Sequence, residues 1–119
     1  MARQPNTDRF GRTWSDLIKN AVWEKGQAIP EYPPEIWRLD KYASLMKRTD
    51  FGDRKSKYGW EIDHIKPVLH GGSDSIDNLQ PLHWKNNAEK GDLLSWKCTM
   101  KVYAGKGFAY QALRNPGIC

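Results

Sequence analysis

The sequence predicts a small α+β domain, and three observations carry that expectation. Residues 60–91 read in order as strand, loop, strand and helix; an amphipathic helix pattern precedes them; and 119 residues supply one domain's worth of chain with a modest core. The expected organisation is a single domain over 12–114, with the unit at about 60–91 at its centre, flanking helices, and flexible termini at 1–11 and 115–119.

The first element is a helix. Trp14, Leu17, Ile18, Ala21 and Val22 recur at helical spacing, with Thr13 or Ser15 as the cap and Gly26 as the stop. Pro30, Pro33 and Pro34 then impose an extended connector to about Glu35. A short strand is expected at Tyr42–Met46. Trp60-Glu61-Ile62-Asp63-His64-Ile65 alternates and is β-branched, which reads as a strand stopped by Pro67. Gly71-Gly72-Ser73-Asp74 supplies turn chemistry, and Leu79–Leu82 is the returning strand. From His83 to Lys90 the composition turns helical, and Gly91 is placed to end the helix. Trp60, Leu79, Leu82 and Trp84 are core candidates; Trp14, Trp23 and Trp37 read as core or interface. The stretch from Trp96 onward carries no assignment.

Composition narrows the function classes. No run approaches the apolar length of a membrane span, and the N-terminal residues lack the apolar stretch of a secretory signal, so a cytoplasmic protein is expected. The two cysteines, Cys98 and Cys119, are too far apart for a CxxC pair, and no structural zinc is expected. The net charge of +5 is unevenly spread. Residues 1–59 carry 12 basic and 8 acidic side chains, 60–91 carry 3 and 5, and 92–119 carry 4 and 1. A locally acidic centre between basic arms suits a cation site that acts on phosphates. The densest basic run, 41–57, includes Lys47, Arg48, Arg54, Lys55 and Lys57.

The chemistry concentrates in Glu61-Ile62-Asp63-His64-Ile65-x-Pro67, Gly71-Gly72, Asn78-Leu79-Gln80-Pro81-Leu82 and Asn86-Asn87-x-x-Lys90-Gly91-Asp92. His64 lies 14 positions before Asn78, Asn78 lies 9 before Asn87, and Asp63 lies 24 before Asn87. In order and spacing this resembles the HNH endonuclease motif, both of small stand-alone bacterial and phage members and of the nuclease module in RNA-guided CRISPR nucleases. The resemblance covers about a quarter of the chain strongly. It implies a ββα-metal (His-Me) finger around one divalent cation and hydrolysis of DNA to 5′-phosphate and 3′-hydroxyl ends. It also implies that His64 is the general base and that Asn78 holds the loop and the His64 backbone.

Read physically, the residue types suit that task. An imidazole titrates near neutral pH and can take a proton from water. Asp63 and Asn87 offer a charged and a neutral oxygen, hard ligands for Mg²⁺, with Mn²⁺ as the alternative. Asn87 stands where the name-giving pattern has a second His, making this an H-N-N variant. His83, Asn87 and Lys90 fall on one helical face, so His83 is a candidate for phosphate contact or, less favoured, metal ligation. Asp63 and His64 are neighbours, so a regular strand would aim them at opposite faces, and the strand is expected to end or distort there. His70 and Asn86 read as structural, Asn86 as a helix-surface or capping residue.

The expected function is thus a metal-dependent HNH endonuclease. Lys47, Arg48, Arg54, Lys55, Lys57, Lys90 and Lys97 would neutralise phosphates of double-stranded DNA. Alternatives are a non-catalytic nucleic-acid-binding module, or a toxin or effector nuclease with an immunity partner. A homodimer or a phage or bacterial partner protein is a further expectation, and no membrane association is expected.

Overall fold

A computed structural model describes residues 3–96. Lys97, Cys98, Cys119 and the expected terminus at 115–119 lie outside the described residues. Helix α1 (Asp16–Trp23) starts where Ser15 Oγ accepts the amide of Ile18. It buries Val22 and Trp23, while Leu17 faces solvent. Strands β1 (Trp37–Leu39) and β2 (Leu45–Lys47) form one antiparallel pair, with Trp37 opposite Lys47. Strands β3 (Trp60–His64) and β4 (Leu79–His83) form the second, with Trp60 opposite His83 and His64 opposite Leu79. Helix α2 (Trp84–Lys90) follows β4 directly. The result is a small α+β fold of two helices and two short sheets, among the described residues. No helix there is long and apolar enough to cross a membrane.

The alternation in β3 sorts its side chains to two sides. Trp60 and Ile62 join Trp14, Val22, Trp23, Met46 and Leu79 in the main apolar cluster. Glu61 and Asp63 face α2, where they meet Asn87 and Lys90. The sheet therefore lies between an apolar layer under α1 and a charged layer under α2. Pro81 sits inside β4 opposite Ile62. Lacking an N–H, it fits only a pair that exchanges no ladder bonds, and the Ile62 amide then points outward. Asn6 Oδ1 accepts that amide at 2.8 Å.

Asp40 joins the two sheets. One carboxylate oxygen accepts the amides of Tyr42 and Ser44, and the other accepts the His83 amide and the Asn86 side-chain NH₂. Asn86 is consequently buried between Asp40 and Ser44. This corrects its reading as a surface or capping residue: partners 42 and 46 positions away draw it inward.

The core candidates Trp60, Leu79 and Leu82 are buried, and Trp84 is half-buried with its indole N–H on Ser56 O. Trp14 and Trp23 are core, and Trp37 packs edge-on against Tyr58. The segment read as a frayed start makes specific contacts. Asp8 accepts the amides of Phe10 and Arg12, and the Arg9 amide donates to Asp74.

Candidate functional site

A cleft of about 270 Å³ opens between β3, α2 and the N-terminal segment. Asp63, His64 and Asn87 all line it, with Arg3, Asn6, Arg54 and Pro67 on its walls. Contrary to expectation, β3 stays paired through Asp63 and His64. The neighbours still share one cleft because the cleft lies along the outer edge of β3, where side chains leaving either face can border the same space. His64 leans to the apolar side, its ring centroid 5.6 Å from that of Trp14. Asp63 leans to the α2 side.

Asp63 is almost fully buried. Gln80 Nε2 donates to its Oδ2 at 2.8 Å, and Lys90 Nζ lies 3.1 Å from Oδ2 and 3.2 Å from Oδ1. Burial pushes its pKa up, opposed by the Gln80 hydrogen bond and the Lys90 charge. Lys90, expected among the phosphate-neutralising cations, is itself buried and also donates to His64 O. Its ammonium is spent inside the fold.

Glu61 adds a second buried carboxylate that the motif reading left without a role. Arg54 reaches it bidentately at 2.8 and 2.9 Å, and Asn87 Nδ2 donates to Glu61 Oε1 at 2.8 Å. A carboxylate only accepts, so Glu61 fixes which end of the Asn87 amide is NH₂ and leaves Oδ1 as the free acceptor. Arg54 is thus tied to Glu61 at the cleft wall, while Lys55 and Lys57 stand exposed. Lys47 Nζ lies over the Trp37 ring, and Arg48 donates to Asn20 Oδ1.

The loop joining β3 to β4 is pinned by Asn78. Its side chain accepts the Lys66 amide and donates to Lys66 O and Ser73 O. Asn78 O accepts the Ile65 amide. The Asn78 side chain bonds to Lys66 and Ser73, and the His64 backbone is not among its partners. Gly71 takes the left-handed conformation, φ 88°, and closes the short turn Val68–His70. His70 is exposed, with Nε2 against Asp92 O at 3.0 Å.

His83 does not line the cleft. It is buried, its Nε2 meets Lys57 O at 2.8 Å, and Nδ1 accepts the Lys85 amide at 3.1 Å as the cap of α2. Capping draws the ring back over the helix start, away from the Asn87 side. Burial pushes its pKa down. Among the residues that the motif reading passed over is Asp74, whose Oδ1 stands 2.8 Å from His64 Nε2. Its only sequence signal was a turn-forming aspartate after a Gly pair.

The donor set suits one hard divalent cation. The Asp63 carboxylate retains acceptor capacity beyond Gln80 and Lys90, and Asn87 Oδ1 is left free by the Glu61 contact. Two protein oxygens on an open cleft match a cation that keeps water and takes phosphate oxygens as its other ligands.

Residues 49–93 match the HNH endonuclease family profile. A second similarity is to "Probable mobile endonuclease C" of Enterobacteria phage T4, with 35% identity over 77 residues. That match takes in 62% of this chain and 34% of the relative, so the chain spans about a third of its length. No solved structure gives a significant match. The HNH resemblance carried by Asp63, His64, Asn78 and Asn87 is therefore met by the family profile, over the stretch that holds β3, β4 and α2.

Proposed function

We propose that this protein is a metal-dependent endonuclease that hydrolyses phosphodiester bonds of double-stranded DNA in the cleft of Asp63, His64 and Asn87, as a ββα-metal finger. The observation that carries the reading is that these three residues, from β3 and α2, line one open cleft. The HNH match over residues 49–93 and the phage endonuclease similarity support the same chemistry.

Asp63 and Asn87 Oδ1 would hold the cation, with Mg²⁺ favoured over Mn²⁺ because both ligands are oxygens. When bound, the ion supplies charge stabilisation to the phosphate and the leaving oxygen. The protein's own part is positional. His64, fixed against Trp14, takes a proton from the attacking water. Glu61 holds the Asn87 amide in its ligating orientation, and Asn78 keeps the β3–β4 loop in place. Lys55 and Lys57 bring positive charge to the DNA backbone.

The test is supercoiled plasmid incubated with wild type or His64→Ala, in Mg²⁺, Mn²⁺ or EDTA. Metal-dependent nicking or linearisation that disappears in His64→Ala is the expected result; nicked product denotes a monomer acting on one strand, and linear product a pair of sites. Binding without cutting by wild type in every metal would leave a nucleic-acid-binding module in its place.

A further inference from the structure

We infer that Asp74 positions the base: its carboxylate fixes His64 in the tautomer that carries the proton on Nε2, leaving Nδ1 as the nitrogen that receives the proton from water. The kinetic consequence rests on the nuclease reading of the cleft, while the tautomer itself does not.

The geometry is specific. His64 is 3% exposed and Asp74 Oδ1 lies 2.8 Å from its Nε2. A carboxylate only accepts, so a neutral imidazole at this distance must place its hydrogen on Nε2. Nδ1 is then the free lone pair. When water gives up its proton, Nδ1 takes it, and the resulting imidazolium keeps its Nε2–H on Asp74, which stays a carboxylate throughout. An imidazole with the opposite tautomer would present an N–H at the same point and could accept nothing there.

Asp74 is also held from outside the ring. The Arg9 amide donates to its Oδ1 at 3.0 Å and to Oδ2 at 3.3 Å. The preceding carbonyl, Ser73 O, accepts from Asn78 Nδ2 at 2.8 Å. The Trp14 ring limits tilting of the imidazole from the other side. Loop, N-terminal segment and indole together leave His64 one orientation, and the carboxylate sets which nitrogen bears hydrogen. This arrangement gives a physical role to two features that the motif left unused: the aspartate after the Gly pair and the N-terminal segment.

The experiment uses the ¹⁵N-labelled full chain and long-range ¹H–¹⁵N correlation of its three imidazoles, at alkaline pH. Wild-type His64 should show the Nε2–H form. Asp74→Ala and the isosteric Asp74→Asn should give mixed tautomers, since an amide can present either oxygen or NH₂. On plasmid, both should lower kcat by about 10–100-fold with KM within about 2-fold. Wild-type His64 in the Nδ1–H form, an unchanged tautomer in Asp74→Asn, or wild-type cutting by both variants while His64→Ala is inactive would each overturn the inference. If the tautomer shifts as expected and no protein cuts, the nuclease reading falls and the positioning by Asp74 stands.

Discussion

Lys90 Nζ and Asp63 Oδ2 form a buried ion pair at 3.1 Å, with side chains 3% and 6% exposed, and Asp63 lines the cleft. A charge in such a place is costly without its partner. Lys90→Met should therefore destabilise the ion-free protein by about 3–5 kcal/mol, because the buried Asp63 carboxyl loses the cation that offsets its desolvation. A divalent cation on Asp63 would restore the missing charge. Thermal melting with EDTA and with Mg²⁺ checks this: the Mg²⁺ gain should be larger in Lys90→Met than in wild type, and equal gains would remove Asp63 as a ligand.

His83 makes an acid-sensitive cap. Its Nδ1 accepts the Lys85 amide and its burial lowers the folded pKa below the ordinary 6.5, so the unfolded chain takes up the proton first. Its contribution is fully present above about pH 6.5 and is lost as pH falls toward the depressed folded value, at up to about 1.4 kcal/mol per pH unit. Urea midpoints measured at a series of pH values should show that loss in wild type and a flatter profile in His83→Gln. Parallel profiles would mean that His83 is not the group responsible.

The two glycines of the β3–β4 loop should respond differently to alanine. A Cβ on Gly72 would stand 1.7 Å from Lys66 O and 2.9 Å from Asn78 Nδ2, so the loop would have to move. At Gly71 a Cβ would meet only the flexible Lys66 Nζ, at 4.0 Å, and the positive φ of 88° is what opposes a side chain. Gly72→Ala should cost about 2–4 kcal/mol and Gly71→Ala about 1 kcal/mol by denaturant titration. The order of the two is the informative result.

How far the sequence could be read follows the range of the interactions. The strand at 60–65, the strand at 79–82, the helix to Lys90 and the stop at Gly91 are local patterns of alternation, composition and turn chemistry, and the structure holds them within a residue or so. Strand β1 was not legible, since Trp37-Arg38-Leu39 is too short to show a period. Asp63, His64 and Asn87 were legible as a set because their spacing survives in the sequence. The roles of Lys90 and His83 were misjudged because a helical face says nothing about depth. Lys90 is drawn in by a carboxylate 27 positions away, and His83 by a carbonyl 26 positions away. Asp74 was hidden for the same reason: a turn residue and a histidine's partner look alike until the loop closes.

DNA binding should follow the exposed lysines. Lys55 and Lys57 point to solvent, whereas Lys90 is internal. Lys55→Ala and Lys57→Ala should each weaken binding to any duplex and reduce the salt slope by about 0.9 per lost phosphate contact. Fluorescence anisotropy of a labelled duplex in EDTA, over a range of salt, gives the slopes. Unchanged slopes would move the DNA path to another face.

If His64 and Asn87 act in one catalytic centre, their losses of activity are non-additive. The direct measurement is the plasmid cleavage rate of wild type, His64→Ala, Asn87→Ala and the double variant under one Mg²⁺ concentration. Each single variant should lose most of its activity, and the double variant should be no slower than the slower single. Wild-type rates in either single variant, or a double loss equal to the product of the two, would contradict a single centre.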